Sequence, residues 1–338
     1  MRPSCHLQLV NPPFGDPGLH VDFLFEKRAL LFDLGDIRAL PARQLLRVSH
    51  VFVSHTHMDH FIGFDWLLRV SLGRANAIEL FGPPGILAQV EAKLAAYTWN
   101  LVHNYAGNFT LVVGEWHPDG RLERARFACR KCFQREPLPA THSPDGLLVA
   151  EKSFQVRATF LDHEVPVLGF ALDEPRHVKV WKNCLEEMGL QVGPWLQALK
   201  QAVLAGAADD TPVRALWKSE GRTVERTLAL ADLEAALTIV PGSRIAYVTD
   251  VVYHAENVER IVTLARDADV LFIEAVFLDE DAAQAARKFH LTAKQAGSIA
   301  RAAAARQVIP FHFSPRYEKR EAELRAELAQ SVQSFGAG

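Results

Sequence analysis

Three imidazoles and one carboxylate crowd six consecutive positions, His55-Thr56-His57-Met58-Asp59-His60, directly after a β-rich run and Ser54. Core packing gives no reason for such a density of titratable side chains. Neutral imidazole nitrogens and carboxylate oxygens suit zinc and similar divalent ions. A loop leaving a strand aims successive side chains in different directions, so one segment can serve two neighbouring ions. Two ions nevertheless need more ligands than this loop supplies, and the rest must come from distant parts of the chain.

The elements that would gather them can be read from periodicity. Residues 20–26, 29–32 and 48–53 read as short strands, the third ending at Ser54-His55. Residues 64–70 read as a short helix and 84–97 as another, with Ile86, Val90 and Leu94 at four-residue spacing and prolines at its start. Residues 154–161 and 167–172 look like neighbouring strands, and 245–249 and 270–273 like two more, while 256–266 has a helical pattern. Thr292 and Gln295 fit a capping box opening an Ala-rich helix over 292–307, which places His290 just ahead of its N-terminus. A polar helix over 318–332 follows. Two polar stretches, 115–152 and 175–226, interrupt the pattern, so the expectation is one α/β domain over 1–338 carrying those two insertions.

Composition excludes several classes. With 49% hydrophobic and 23% charged residues the chain can bury a large core, so disorder is not expected. A formal charge of −3 gives no whole-protein field that would draw in nucleic acid, so an anionic substrate must be held locally. Cys5, Cys129, Cys132 and Cys184 are too few for a disulfide scaffold, and the apolar run after residue 6 is too short for a signal peptide; a cytoplasmic protein is expected. No run reaches the roughly 18 apolar residues of a membrane span, so no membrane partner is expected.

Taken in order, further pieces join the His-rich loop: Leu161-Asp162-His163, Val248-Thr249-Asp250, Phe272-Ile273-Glu274-Ala275, Phe289-His290-Leu291-Thr292 and Phe311-His312-Phe313-Ser314-Pro315-Arg316-Tyr317. Together with His55, His57, Asp59 and His60 this set resembles the metallo-β-lactamase superfamily, and its order and spacing resemble the ribonuclease Z branch, from about residue 30 to 317. The resemblance implies an αββα sandwich of two mixed β-sheets flanked by helices, and two divalent metal ions, zinc being the expected metal. It implies that His55, His57 and His163 hold one ion, that Asp59, His60 and His312 hold the other, and that Asp250 bridges them. The residues agree, since His163, Asp250 and His312 each lie at or just past the end of a predicted or plausible strand. Paired metals lower the pKa of a bridging water and clamp both oxygens of a displacement, which suits phosphodiester hydrolysis by a metal-bridging hydroxide. The resemblance also implies that Asp59 steers the nucleophile's proton, that Glu274 and His290 form a general acid, and that the protein is a homodimer.

The expected activity is therefore that of a metal-dependent hydrolase, a ribonuclease Z-like phosphodiesterase or nuclease with RNA among its substrates. A lactone, thioester or sulfate ester is the alternative substrate, and a metal-containing binding or regulatory protein without turnover the alternative of another class. The chain departs from the family at its start: residues 11–18 and Leu34-Gly35-Asp36-Ile37 stand where the family carries Gly-Thr-Gly and Cys-Gly-Glu-Gly-Thr. Gly193-Pro194 resembles part of the family's tRNA-gripping arm. Four further features are readable. Asp33 ends a strand that should neighbour the His-rich loop and can orient a ligand imidazole. Arg316 can meet a phosphate with its planar fork. Cys129-Arg130-Lys131-Cys132 lacks the second Cys pair of a zinc ribbon and reads as a solvated insertion. A basic strip, Arg121, Arg124, Arg126, Arg130, Lys131 and Arg135 against Glu123, can face phosphates or be a hydrated face.

Overall fold

A computed structural model describes residues 5–219 and 221–333; the opening residues 1–4, read above for a leader, lie outside it. Eight strands lie side by side in chain order in a first sheet. They are β1 (Cys5–Leu9), β2 (Leu19–Phe23), β3 (Ala29–Phe32), β4 (Val48–Phe52), β5 (Ala77–Gly82), β6 (Thr110–Trp116), β7 (Arg121–Ala128) and β8 (Arg135–His142). Then come β9 (Leu147–Ala150), β10 (Gln155–Asp162) and β11 (Pro166–Asp173). Between Asp173 and Ser243 lie β12 (His177–Val180), β13 (Pro212–Ser219), β14 (Arg222–Ala229) and β15 (Leu237–Val240). The chain resumes with β16 (Arg244–Val248), β17 (Val270–Glu274) and β18 (Val308–Phe311), which complete a second sheet in the order β18-β17-β16-β11-β10-β9.

Side chains alternate across a strand, and that alternation stacks the layers. On β4, Val51 faces a core shared with helices, whereas Phe52 faces the other sheet. Phe32 and Phe52 meet Phe170 of β11 at 5.7 Å each, and Phe32 meets Tyr247 of β16 at 5.8 Å. Each such ring removes roughly 150–250 Å² from water, so this aromatic layer seals one sheet to the other. Helices α1 (Ala42–Leu45), α2 (Met58–Phe61), α3 (Phe64–Ser71) and α4 (Ile86–Ala95) belong to the first sheet, where Phe64, Leu67, Leu68, Ile86, Val90 and Leu94 pack on Val51 and Leu80. In chain order, α5 (Lys182–Glu187) and α6 (Trp195–Leu204) come next. Helices α7 (Ala255–Leu264), α8 (Ala282–Arg287), α9 (Ala293–Ala302) and α10 (Glu321–Gln333) follow, and they pack on the outer face of the second sheet through Ile261, Ala285, Ile299 and Leu324. The expected αββα layering of two mixed sheets is what the chain adopts.

Contacts divide the chain into two compact units: residues 1–151, 155–172 and 244–338, and residues 152–154 and 173–243. The second has its own core of Leu185, Leu190, Trp195, Leu199, Ala215 and Leu233, built from α5, α6 and the antiparallel pairs β12–β15 and β13–β14. Within it, Gly193 lets α6 approach β13, since a Cβ there would lie 2.5 Å from the Leu216 carbonyl oxygen.

Two expectations are corrected. Residues 115–152 are not a polar insertion: β6, β7 and β8 extend the first sheet, and on β7 the buried Leu122, Ala125 and Phe127 are interleaved with the arginines that gave the stretch its polar look. The capping box of Thr292 and Gln295 forms, but α9 stops at Ala302 rather than reaching 307, because Ala304 turns left-handed (φ 54°) and releases the chain into β18.

What matters for chemistry is a shared edge. Strands β3 to β6 are mutually parallel, as are β16 to β18, so their C-terminal ends line one side of each sheet. Ligands in parallel-sheet folds collect at such ends. The loops leaving β3, β4, β16 and β18 carry Asp33, residues 54–60, Asp250 and His312, and β17 itself ends on Glu274. Two of these loops are clamped together. Leu34 N donates to His60 O at 2.9 Å and Gly63 N to Leu34 O at 2.8 Å. A Cβ on Gly63 would come within 2.2 Å of the Gly35 carbonyl oxygen, so only glycine fits there. Residues 11–18 have their own ties: Asn11 Nδ2 donates to Asp16 O (2.9 Å) and Asp36 O (3.0 Å), and Phe313 N donates to Pro13 O (2.7 Å).

Candidate metal centre

All seven expected ligands converge. Nitrogen and oxygen atoms of His55, His57, His163 and Asp250 lie within 4.8 Å of one another, and so do those of Asp59, His60 and His312. The carboxylate of Asp250 sits between the sets: its Oδ2 is 3.7 Å from His55 Nε2, 3.4 Å from His60 Nε2 and 3.5 Å from His163 Nε2, and its Oδ1 is 2.8 Å from His312 Nδ1. Asp59 Oδ2 lies 3.5 Å from His60 Nε2 and 3.3 Å from His312 Nε2.

Most of these gaps are long for hydrogen bonds. Ligands about 2.0–2.2 Å from a tetrahedral zinc stand roughly 3.3–3.6 Å apart, so the spacings match side chains that share a cation. Among the described residues, the buried Nε2 atoms of His55 and His60 have no hydrogen-bond partner. A buried polar atom without a partner is costly, and a metal ion would satisfy both. The donor set therefore fits divalent cations.

The electrostatics of the cluster is divided between neutral and protonated imidazoles. Burial, with the charges of neighbouring histidines, pushes His55 down to about 2, which leaves it neutral with a lone pair to give. Burial and the His163 charge also lower His57. At His60 burial opposes the imidazolium, but the Asp250 and Asp33 carboxylates outweigh it and push the group up to about 10. Burial would raise Asp59, yet the hydrogen bond with His312 and the His60 charge bring it down to about 2. Asp250, fully buried, is nonetheless held well below the carboxylate range by His312 and His60. Burial thus penalises charge at His55, His57, Asp59, His60 and Asp250, and the two carboxylates stay ionised because positive charge is beside them.

Three of the imidazoles, those of His55, His60 and His163, are aimed by their other nitrogen. His60 Nδ1 is 2.9 Å from Asp33 Oδ2, and Asp33 further accepts from Ser54 N (2.7 Å), Ser54 Oγ (2.9 Å) and Tyr247 Oη (3.0 Å). Ser54 Oγ is also 3.0 Å from His55 Nδ1, and His163 Nδ1 is 2.7 Å from the Phe289 carbonyl oxygen. Asp33 thus stands where the sequence put it. Ser54, Tyr247 and the Phe289 carbonyl were not singled out. Tyr247 had a signal, an aromatic with a polar tip on the inward face of a buried strand three residues before Asp250.

Glu274 and His290 form a second cluster. His290 Nδ1 is 2.8 Å from Glu274 Oε2, while Glu274 Oε1 accepts from Val251 N and Leu291 N, each at 3.0 Å. The carboxylate thereby ties the Asp250 loop to the His290 loop. Burial disfavours the His290 imidazolium, but the Glu274 charge overrides it and raises the group. His290, Asp59 and His312 line a cavity of ≈ 260 Å³.

Other expectations do not reach the site. Arg316 is engaged with Asp281 (3.2 Å) and Gln284 (2.6 Å) and does not line that cavity. The basic strip is largely neutralised, with Arg124 on Glu79 (2.9 Å), Arg135 on Glu91 (3.3 Å), and Lys131 and Arg121 on Glu136 and Glu123. Cys129 is buried and Cys132 exposed, both free, and neither belongs to a metal-binding cluster among the described residues.

Comparison with known proteins agrees with the fold. A sequence profile of the beta-lactamase superfamily domain matches residues 211–313. Ribonuclease Z of Deinococcus radiodurans is 30% identical over 311 residues, 91% of this chain and 88% of that protein. Ribonuclease Z of Crocosphaera subtropica is 27% identical over 318 residues, 90% and 83% of the two chains. The crystal structure of human tRNase Z, short form, superposes with a TM-score of 0.52 at 19% identity, covering 93% of this chain and 92% of that one, and that of the metallo-beta-lactamase fold protein YhfI of Bacillus subtilis with 0.52 at 14%, covering 96% and 92%.

The Asp33 network gives a direct test. Asp33→Asn keeps the side chain's size but replaces an acceptor facing four donor groups. Metal affinity, measured by competition with a chelator, should fall about 10- to 100-fold; an unchanged affinity would mean that Asp33 does not orient His60 for metal.

Proposed function

The chain belongs to the ribonuclease Z family and is a metal-dependent hydrolase, and from that premise we propose that it cleaves RNA phosphodiester bonds at a centre of two divalent ions, zinc in each position. His55, His57 and His163 would hold one ion, Asp59, His60 and His312 the other, with Asp250 between them. Supporting this split is the grouping of the seven side chains into two sets that meet at Asp250. Bound ions of this kind supply Lewis acidity and make water a competent nucleophile near neutral pH.

The chain's own side chains would do the rest. Asp59 turns Oδ2 toward His60 and His312, so its Oδ1 is free to accept a proton at the edge of the cavity. His290, with Nδ1 fixed on Glu274, presents Nε2 to the same cavity, and the nearby carboxylate favours its protonated form. A proton on Nε2 is then available to the leaving oxygen of the diester. The observation that carries the reading is this placement of a Glu-oriented imidazole on the wall of the cavity that adjoins the metal ligands.

We further propose that the first unit is the catalytic domain, carrying the second as an insertion that contributes to RNA binding, and that the protein is a cytoplasmic homodimer. Ile62, Trp66, Tyr97 and Leu101 are 47%, 41%, 46% and 57% exposed around a groove of ≈ 790 Å³, an apolar surface that a second copy would cover. Cys129, Cys132 and Cys184 are free thiols, consistent with a reducing compartment. No helix among the described residues is long and apolar enough to cross a membrane.

Two measurements check these readings. The metal-loaded protein should hydrolyse a generic phosphodiester and a precursor tRNA, and His290→Ala should lower kcat by about 10²- to 10⁴-fold with metal content unchanged; hydrolysis of a lactone alone would contradict the phosphodiester reading. In sedimentation, the protein should run as a dimer and Trp66→Glu should shift it toward monomer, whereas a monomeric wild type would remove the dimer from the account.

A further inference from the structure

We propose that Lys288 seats the scissile phosphate beside His290, a positioning role that neither the metal ligands nor the Glu274–His290 pair fills. The inference rests on the phosphodiesterase reading and adds to it the group that recognises the anion.

Among the described residues lining the ≈ 260 Å³ cavity, Lys288 is the only lysine or arginine. Its companions include the apolar Phe14, Phe277 and Phe313, the carboxylates of Asp16 and Asp59, Ser314, and the His290 and His312 imidazoles already engaged with Glu274, Asp59 and Asp250. A phosphodiester carries one negative charge, and moving it into a half-apolar cavity that already holds two carboxylates is unfavourable without a nearby cation. Bound metals would meet the oxygens at the reacting edge. The remaining non-bridging oxygen needs a donor from the protein, and an ammonium on a four-carbon stem can reach it.

The backbone beneath Lys288 is unusually well fixed for a surface residue. Helix α8 ends in a left-handed turn at Phe289 (φ 61°), closed by His290 N to Ala285 O at 3.0 Å and Phe289 N to Ala286 O at 3.3 Å. This is the double bond pattern of a Schellman cap, built here without the usual glycine. The next links are to the centre itself: the Phe289 carbonyl accepts from His163 Nδ1 at 2.7 Å, and His290 is held on Glu274 at 2.8 Å. The Cα of Lys288 is therefore registered against a candidate metal ligand on one side and the candidate acid on the other. Its side chain is exposed and, among the described residues, makes no ion pair. Arg316, by contrast, is occupied by Asp281 and Gln284.

The test uses the metal-loaded full chain with Lys288→Ala and Lys288→Arg, both brought to wild-type metal content. Two readouts are taken: hydrolysis of bis(4-nitrophenyl) phosphate, and equilibrium binding of uridine 5′-monophosphate, which needs no turnover. Lys288→Ala should raise KM and weaken nucleotide binding about tenfold, the order of one charge-assisted hydrogen bond, with kcat little changed. Lys288→Arg should restore most of both, and the salt dependence of binding should flatten only in the alanine variant. Wild-type KM and binding in Lys288→Ala, with the parent enzyme active, would overturn the Lys288 assignment alone. A parent enzyme that neither hydrolyses the diester nor binds the nucleotide would overturn the phosphodiesterase reading and this inference with it.

Discussion

The burial of the Asp250 carboxylate is the constraint on which the rest of the site turns. An ionised carboxylate taken out of water is expensive unless it is paired, and here it is only 2% exposed with four imidazoles facing its two oxygens. Those imidazoles come from the β4 loop, the end of β10 and the end of β18, so the charge can be accommodated only if both sheets are correctly stacked. Fold and centre are therefore coupled. The aromatic layer of Phe32, Phe52, Phe170 and Tyr247 stacks the sheets, and Tyr247 adds a hydroxyl that reaches Asp33 and so touches the ligand network directly.

Strain is concentrated at the same edge. Asp33 and His312 adopt φ of 59°, and Phe289 adopts 61°, a region that side chains other than glycine enter at a cost of order 1–3 kcal/mol each. Each of the three is held by contacts to the site: Asp33 by four hydrogen-bond donors, His312 by its ion-pair contacts with Asp59 and Asp250, and Phe289 by the His163 hydrogen bond. Strain offset in this way fixes directions. An imidazole that leaves its strand through a left-handed residue cannot swing without breaking the contacts that tolerate the conformation.

How much of this could be read beforehand depends on range. The six-residue cluster from His55 to His60 was legible because its candidate ligands are consecutive, and the individual strands and helices because hydrophobic alternation is local, whereas the αββα layering was implied only by the family resemblance. His163, Asp250 and His312 acquired meaning from their order, since nothing within a few residues of any of them marks a ligand. What stayed hidden is what requires three dimensions. A backbone carbonyl such as that of Phe289 has no side-chain signal, and the pairing of Arg124 with Glu79 or Arg316 with Asp281 cannot be inferred from residues 45 and 35 positions apart. The arginines on β7 concealed an amphipathic strand as a polar insertion. Lys288 lay in a segment that read only as the approach to a helix.

In the proposed centre, seven side chains from four loops hold two ions with Asp250 between them. Anomalous diffraction from crystals of the metal-loaded protein, collected on either side of the zinc absorption edge, tests it most directly. Two edge-sensitive peaks are predicted, one bounded by His55, His57 and His163 and the other by Asp59, His60 and His312. A single peak, or a pair placed away from Asp250, would contradict it.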